Sequence, residues 1–115
     1  MVTLPAAPMF IKKAKTISGP KYIHIHTPCP AGWGFEPRYT VKIGKMAVET
    51  GLYDLYEIEN SKFRLTGPSK KLIGKKRKLV TEYFKTQSRF KALSDERIKE
   101  VQQEVDLKWE GYENG

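Results

Sequence analysis

The stretch over residues 21–34 constrains the fold of this chain more than any other. It begins with the run KYIHIHT, whose isoleucine and histidine side chains point to opposite sides, and ends in CPAGWG after a proline. Alternation with period two predicts a β-strand over 21–27, whereas the three prolines and two glycines of residues 28–38 predict an ordered loop. Because loops at strand ends often carry function, the only cysteine of the chain, Cys29, is the first candidate functional residue.

Length and composition are those of one globular domain. A chain of 115 residues can bury about two thirds of the surface that its unfolded form exposes, and we expect a single segment over 1–115 with no internal boundary. One cysteine cannot form an internal disulfide, and no stretch resembles a signal peptide or a span of about 20 apolar residues. We therefore expect a cytoplasmic protein with a reduced or metal-bound thiol and no membrane contact.

The net charge of +8 favours an acidic partner. Much of the excess lies in two lysine-rich runs, 12–15 and 70–78. Runs of this kind occur as solvated faces, as docking sites for acidic proteins and as nucleic-acid patches. No aromatic RNA-binding signature and no zinc-finger spacing accompanies them, which disfavours nucleic acid.

The first half of the chain predicts a βαβ unit. An apolar stripe at Phe10, Ala14 and Ile17 predicts a first helix that stops by Gly19-Pro20. After the strand over 21–27 come a helix over 41–50, with Thr40 as its N-cap, and a hairpin over 52–58 and 62–65. A strand, a helix and a strand in this order predict a parallel pair joined by a right-handed crossover.

The second half predicts two further helices. Residues 69–78 are expected to form a basic loop, and Val80, Tyr83 and Phe84 lie on one face of the helix that follows it. Ser94 is placed to cap a last helix with a buried stripe ending at Trp109, and residues 111–115 read as a frayed end. The predicted fold class is α/β, in the order α-β-α-β-β-α-α, with a small, mostly parallel sheet plus a hairpin.

Six blocks of the sequence carry a resemblance to a known family. The blocks are TPCPAGWG at 27–34, AVETGLY at 47–53, LYE at 55–57, FRL at 63–65, EY at 82–83 and QSRF at 87–90. Together they resemble the C-terminal part of the β subunit of pyruvate:ferredoxin oxidoreductase, also called pyruvate synthase. The resemblance runs in the family's order from about residue 9 to residue 109, with Ala31 standing where threonine is usual and Leu79 where proline is frequent.

The resemblance implies a role for Cys29. The family's β subunit holds thiamine diphosphate and Mg²⁺ through a Gly-Asp-Gly motif and binds a [4Fe–4S] cluster through four cysteines. This sequence has no Gly-Asp-Gly and only one cysteine. By the resemblance, Cys29 matches the fourth, C-terminal cluster ligand, and the other three are expected in an N-terminal portion. The chain thus resembles the last third of a thiamine diphosphate-binding subunit, as a separate polypeptide or an excised fragment. Alone, it is expected to bind neither cofactor and to be inactive.

The implied activity is that of an oxidoreductase of the EC 1.2.7 class. Such an enzyme converts pyruvate and coenzyme A to acetyl-CoA and CO₂, with electron transport to ferredoxin, or runs the reverse reaction. The implied partners are the remainder of the β subunit, the other oxidoreductase subunits and ferredoxin. A branched-chain or aromatic 2-oxo acid as substrate, and a non-catalytic basic module that binds nucleic acid or an acidic protein, remain alternatives.

Other candidate sites are weak. His24 and His26 share one face of the predicted strand, but a lone His-x-His lacks further ligands, and we interpret both as structural. Trp33 and Trp109 are interpreted as packing anchors. The sequence contains no nucleophile elbow, no phosphate-binding glycine loop and no His-Glu-x-x-His motif.

Overall fold

The computed structural model describes residues 7–115, so the predicted segment over 1–115 includes six residues outside the described range. Two short 3₁₀ turns, Pro37–Tyr39 and Ser88–Phe90, join the longer elements. The helices are α1 (Ala7–Lys15), α2 (Pro30–Trp33), α3 (Thr40–Glu49), α4 (Gly67–Lys71), α5 (Val80–Phe84) and α6 (Asp95–Asn114), and the strands are β1 (Tyr56–Glu59) and β2 (Lys62–Leu65).

Helix α3 forms the centre of the first of two adjoining core clusters. Its Ile43, Met46 and Ala47 are buried against Tyr83 of α5, which confirms the predicted helix over 41–50 and its apolar face. Thr40, expected as the N-cap, is instead the first helical residue, and Tyr39 occupies the cap position.

The second cluster centres on α6. Its Trp109 and Val105 pack against Val80 and Leu65. The indole Nε1–H of Trp109 donates to the Gly51 carbonyl at 3.0 Å, and a Cβ at Gly51, whose φ is +78°, would lie 2.3 Å from that nitrogen. Gly51 therefore ends α3 in the left-handed region and lets the indole approach the backbone.

The predicted hairpin is confirmed, although its first strand begins at Tyr56 rather than at residue 52. Strands β1 and β2 pair antiparallel, with Ile58 opposite Phe63. Asn60 and Ser61 have φ of 51° and 63°, the left-handed pair that a two-residue type I′ turn requires.

The predicted strand over 21–27 and the parallel sheet are wrong. Within residues 7–115 the sheet is a two-stranded antiparallel hairpin, and residues 21–29 have no regular secondary structure apart from an isolated bridge at Ile25. An alternating pattern favours an extended backbone, but a strand also needs a neighbouring strand to accept its hydrogen bonds. The mixture of helices and strands agrees with an α/β fragment; the predicted element order does not hold.

The basic stretch over 69–78 is only partly a loop. Helix α4 begins at Gly67 and ends at Lys71. Pro68 favours this start, because a proline in the first turn presets the helical φ and has no N–H to satisfy. The helix predicted after residue 79 is confined to Val80–Phe84, and a 3₁₀ turn carries the chain on to Phe90.

Helix α6 begins and ends with specific side-chain contacts. The Ser94 hydroxyl accepts from the Arg97 N–H at 3.3 Å, as expected of an N-cap. The end predicted to fray is helical up to Asn114. There the Tyr112 hydroxyl donates to Asp54 at 2.7 Å, and the Tyr112 ring stacks on Phe63 with centroids 5.5 Å apart. Burial and the Asp54 carboxylate raise the pKa of Tyr112.

Helix α1 is predicted correctly in type, but it ends at Lys15, before Gly19-Pro20. The Lys13 Nζ donates to Glu57 of β1 at 2.8 Å, with Glu59 at 3.5 Å. Among the helices described here, none combines the length and apolar character needed to cross a membrane.

Candidate metal-ligand site at Cys29

Cys29 lies at the point where the extended chain turns into α2. Its backbone is extended, with φ −111° and ψ 104°, and Pro30 follows as the first helical residue. The Cys29 carbonyl accepts from the Trp33 N–H at 2.9 Å, and Gly34, with φ +73°, closes the turn by donating to the Pro30 carbonyl at 3.0 Å. Proline at the start and glycine at the end thus fix this single turn locally.

The turn is tied to the core at Gly34. The Gly34 carbonyl accepts from the Ser88 N–H at 2.9 Å. A Cβ at Gly34 would lie 1.7 Å from the Ser88 Oγ, so glycine is required here both by the backbone conformation and by the close approach of Ser88. Trp33 and Phe35, on either side, pack against the first core cluster.

Trp33 contacts a cation and a second ring. The Arg89 guanidinium carbon lies 3.8 Å from the Trp33 ring centroid, and the His26 ring centroid lies at 5.4 Å. Arg89 is fixed in turn by donating to Gln87 Oε1 at 2.8 Å and to the Tyr83 hydroxyl at 3.2 Å. These contacts connect the Cys29 turn to the buried face of α5.

The Cys29 thiol itself is free and exposed. Its surroundings leave little space on the side of the turn, because a Cβ at Gly32 would lie 3.3 Å from Cys29 Sγ. An exposed thiol on a turn fixed at both ends can serve as one thiolate ligand to a metal or cluster whose other ligands come from elsewhere.

The described chain does not complete a metal site. In residues 7–115, no group of three or more His, Cys, Asp and Glu side chains could hold a metal ion. Cys29 could therefore hold a metal or cluster only together with ligands from outside these residues, and a [4Fe–4S] cluster, which usually takes about four cysteines, is one group that accepts such a ligand. The sequence contains no Gly-Asp-Gly motif.

The two histidines lie in different environments. His24 is exposed beside Tyr22, with ring centroids 6.4 Å apart, whereas His26 packs on Tyr53 at 4.1 Å. Burial lowers the pKa of His26, and the positive charge of Arg89 lowers it further. The structure thus gives the His26 ring a packing role, and within residues 7–115 it brings neither histidine into a ligand group with Cys29.

The basic runs are partly neutralised by ion pairs within the chain. Arg77 pairs with Asp106 at 3.0 Å and Lys78 with Glu49 at 2.7 Å. Lys70, Lys71, Lys75 and Lys76 are exposed. Part of the positive charge thus supports the fold, and the remainder is a solvated surface that is free to meet an acidic protein.

Sequence reasoning missed the residues that hold the turn. Arg89 stands in the block QSRF at 87–90, but nothing in its spacing from Trp33 indicates that the two side chains stack. Tyr112 could have been found, because it lies three residues after Trp109 and extends the buried stripe of α6 by one turn.

Comparisons with known proteins show that the chain is similar in sequence to oxidoreductase subunits. No family model matches it. It is 48% identical over 98 residues to the pyruvate synthase subunit PorB of Methanocaldococcus jannaschii, covering 85% of this chain and 31% of that subunit. It is 47% identical over 96 residues to PorB of Methanothermobacter marburgensis, covering 84% of this chain and 32% of the relative.

A second kind of relative is named for a different substrate. The ketoisovalerate oxidoreductase subunit VorB of Pyrococcus furiosus is 38% identical over 100 residues, or 87% of this chain and 31% of VorB. The chain thus spans about a third of the length of the curated relatives that it matches.

Proposed function

The chain is homologous over most of its length to part of pyruvate synthase subunit PorB, and from this premise we propose that it is a functional part of a 2-oxoacid:ferredoxin oxidoreductase. Its contribution is one cysteine thiolate to a [4Fe–4S] cluster, together with contacts to the rest of the enzyme. It corresponds to the C-terminal segment of the β subunit.

The observation that carries the proposal is the presentation of Cys29. The one thiol of the chain is exposed on a turn that Pro30, Gly34 and Ser88 fix, and that turn belongs to the block by which the chain resembles the family. A thiol with only a packing role is usually buried. An exposed thiol on a rigid turn supports a role as one ligand of a site that another part of the protein completes.

The residues of this chain position the ligand and leave the reaction to groups held elsewhere. Arg89 and Trp33 keep the turn against α5, and the Gly34–Ser88 hydrogen bond holds its end. When bound, the cluster supplies one-electron transfer between the thiamine diphosphate site and ferredoxin. Thiamine diphosphate, Mg²⁺, coenzyme A and the 2-oxo acid bind outside this chain.

The substrate class has two candidates. Pyruvate is favoured by the identities of 48% and 47% to PorB. A branched-chain 2-oxo acid is the second candidate, because VorB reaches 38% identity over a comparable length. In both cases the same role for Cys29 applies, since the 2-oxo acid is bound by other parts of the enzyme.

The test uses a hybrid subunit. The part of the M. jannaschii PorB that precedes the matched region is fused to this chain, and iron, sulfide and the visible spectrum are measured after anaerobic reconstitution. We expect about four irons per hybrid and their partial or complete loss in Cys29→Ser. Ala31→Ser, a conservative change two residues away in the same turn, is the matched control and should retain the wild-type iron content. Unchanged iron and spectrum in Cys29→Ser would refute the proposal.

A further inference from the structure

A groove of mixed polar and apolar lining lies between α1, residues 17–24 and β1. It has a volume of about 470 Å³, and Phe10, Ile17, Tyr22, Ile23 and Ile58 are among the apolar residues that line it. Two of these residues are unusually open for their type, with Tyr22 88% and Ile58 63% exposed. Exposed apolar side chains that are gathered in one place and rimmed by polar residues are a feature of interaction surfaces.

The walls of this groove are weakly anchored to the rest of the molecule. No residue between positions 8 and 42 is fully buried, and α1 meets β1 through the Lys13 ion pairs with Glu57 and Glu59. Ion pairs of this exposure contribute little to stability. A helix held mainly in this way needs further apolar contact to stay in place.

The groove and Cys29 are close together along the chain. Residues 21–24 line the groove, and the five Cα-to-Cα steps from His24 to Cys29 span at most about 18 Å when extended. A polypeptide that brings further ligands to Cys29 therefore lies within reach of the groove.

We propose that this groove is the docking surface for the polypeptide that supplies the remaining two thirds of the subunit in the relatives. The inference rests on the proposed function, because it takes the partner to be the same polypeptide that completes the cluster at Cys29. The relatives are about three times as long as the matched region, so a large body of chain must pack against this segment in them.

The chemistry of the surface indicates the chemistry of its partner. Apolar side chains line part of the groove, whereas Lys21 in its lining and Lys12 and Lys15 on α1 are exposed and form no ion pair within residues 7–115. The matching surface is therefore an apolar segment flanked by acidic side chains.

The experiment measures association of two separate chains without iron. The probe is the part of M. jannaschii PorB that precedes the matched region, titrated against this full chain by calorimetry. Ile58→Lys is expected to weaken binding at least tenfold, since it places an unpaired ammonium group in an apolar contact. Leu107→Lys is the matched control, because Leu107 is 66% exposed on α6 and does not line the groove; its affinity should stay within twofold of the wild type.

A second variant separates loss of binding from loss of folding. Tyr22→Ser removes an almost fully exposed ring from the groove and should weaken binding while leaving the thermal unfolding temperature unchanged. Equal affinity in Ile58→Lys, Tyr22→Ser and Leu107→Lys would overturn the inference, as would the absence of binding by the wild-type chain. Self-association of this chain that Ile58→Lys abolishes would also overturn it, because the occupant would then be a second copy.

The two proposals fail in different ways. Cys29→Ser should bind the separate chain as tightly as the wild type, because Cys29 does not line the groove. Loss of iron in the fused hybrid tests the ligand role without depending on affinity, since the two parts are then covalently joined.

Discussion

Residues 43–115 and residues 8–42 are held in place by different kinds of contact. The first group contains both core clusters, with Trp109, Tyr83, Ile43 and Val80 almost completely buried. The second contains no fully buried residue. It is attached through Lys13, the Gly34–Ser88 hydrogen bond, and the partly buried Trp33 and Phe35, which pack on the first core cluster.

The difference separates the residues that form the core from those that carry the candidate site. Residues 43–115 can be stabilised by their own apolar core, whereas residues 8–42 carry the exposed Cys29 and one side of the groove, whose other side is β1. Segments with few buried contacts have the lowest local stability, and they gain most when a partner covers them. The changes below test this contrast in order of decreasing effect.

The largest effect is expected in the core of residues 43–115. Trp109→Ala removes a fully buried ring and its hydrogen bond to Gly51, and should lower the free energy of unfolding by about 3–5 kcal/mol. Trp33→Ala, in the other group, removes a half-buried ring and should cost about 1–2 kcal/mol. Urea denaturation measures both values, and equal losses would contradict the contrast.

The junction between the groups can be tested at Gly34. Gly34 and Gly74 have nearly the same φ, +73° and +72°, but an added Cβ meets Ser88 at Gly34 and nothing within 4 Å at Gly74. Both alanine variants should lose about 1 kcal/mol to backbone strain, and Gly34→Ala should lose about 1–3 kcal/mol more through the clash.

Ser88→Ala combined with Gly34→Ala provides the control for this clash. Removing the Ser88 hydroxyl should restore part of the stability lost in Gly34→Ala, and a double-mutant cycle measures the coupling. A zero coupling energy would show that Ser88 does not oppose the added methyl group.

A smaller effect is expected at Arg89. Arg89→Ala removes the stacking on Trp33 and the hydrogen bonds to Gln87 and Tyr83, and should cost about 1–2 kcal/mol. Exchange of the Trp33 amide proton, which bonds the Cys29 carbonyl, should become faster. Arg89→Lys should not restore the protection, because an ammonium group lacks the planar fork; full protection in Arg89→Lys would contradict the role of stacking.

The smallest effect is the pH dependence due to His26. The pKa of His26 is lowered in the folded chain, first by burial, so folding favours the neutral ring. Its contribution to stability is complete above the ordinary value near 6.5 and is lost as the pH falls below it. His26→Phe should therefore flatten the decline in the free energy of unfolding between about pH 7 and pH 5, whereas His24→Phe should retain the wild-type slope. Identical slopes in both variants would exclude His26 as the source of this pH dependence.

The elements that could be predicted from sequence are those fixed by local chemistry. Helix α3 has an apolar face and Gly51 at its end, the hairpin has Asn60-Ser61, and α6 has Ser94 as its cap. Each signal lies within the element that it specifies, so no knowledge of the rest of the fold was required.

The elements predicted wrongly depend on distant partners. The run over 21–27 has the alternation of a strand, but no strand within residues 7–115 pairs with it beyond the single bridge at Ile25. At the candidate site, Cys29 was identified from its sequence block. The side chains that hold its turn, Arg89 and Ser88, were not, because they approach it from about 55 residues further along the chain.

The most direct test of the central claim is the reactivity of Cys29 in the hybrid subunit. Alkylation by iodoacetamide, followed by mass spectrometry of the Cys29 peptide, is compared between hybrid loaded with iron and sulfide and the same protein stripped by a chelator. We expect Cys29 to be protected from iodoacetamide when iron is present and to become reactive once the iron is removed, because a metal-bound thiolate is not free to be alkylated. Equal alkylation in the loaded and stripped hybrids would contradict a ligand role for Cys29.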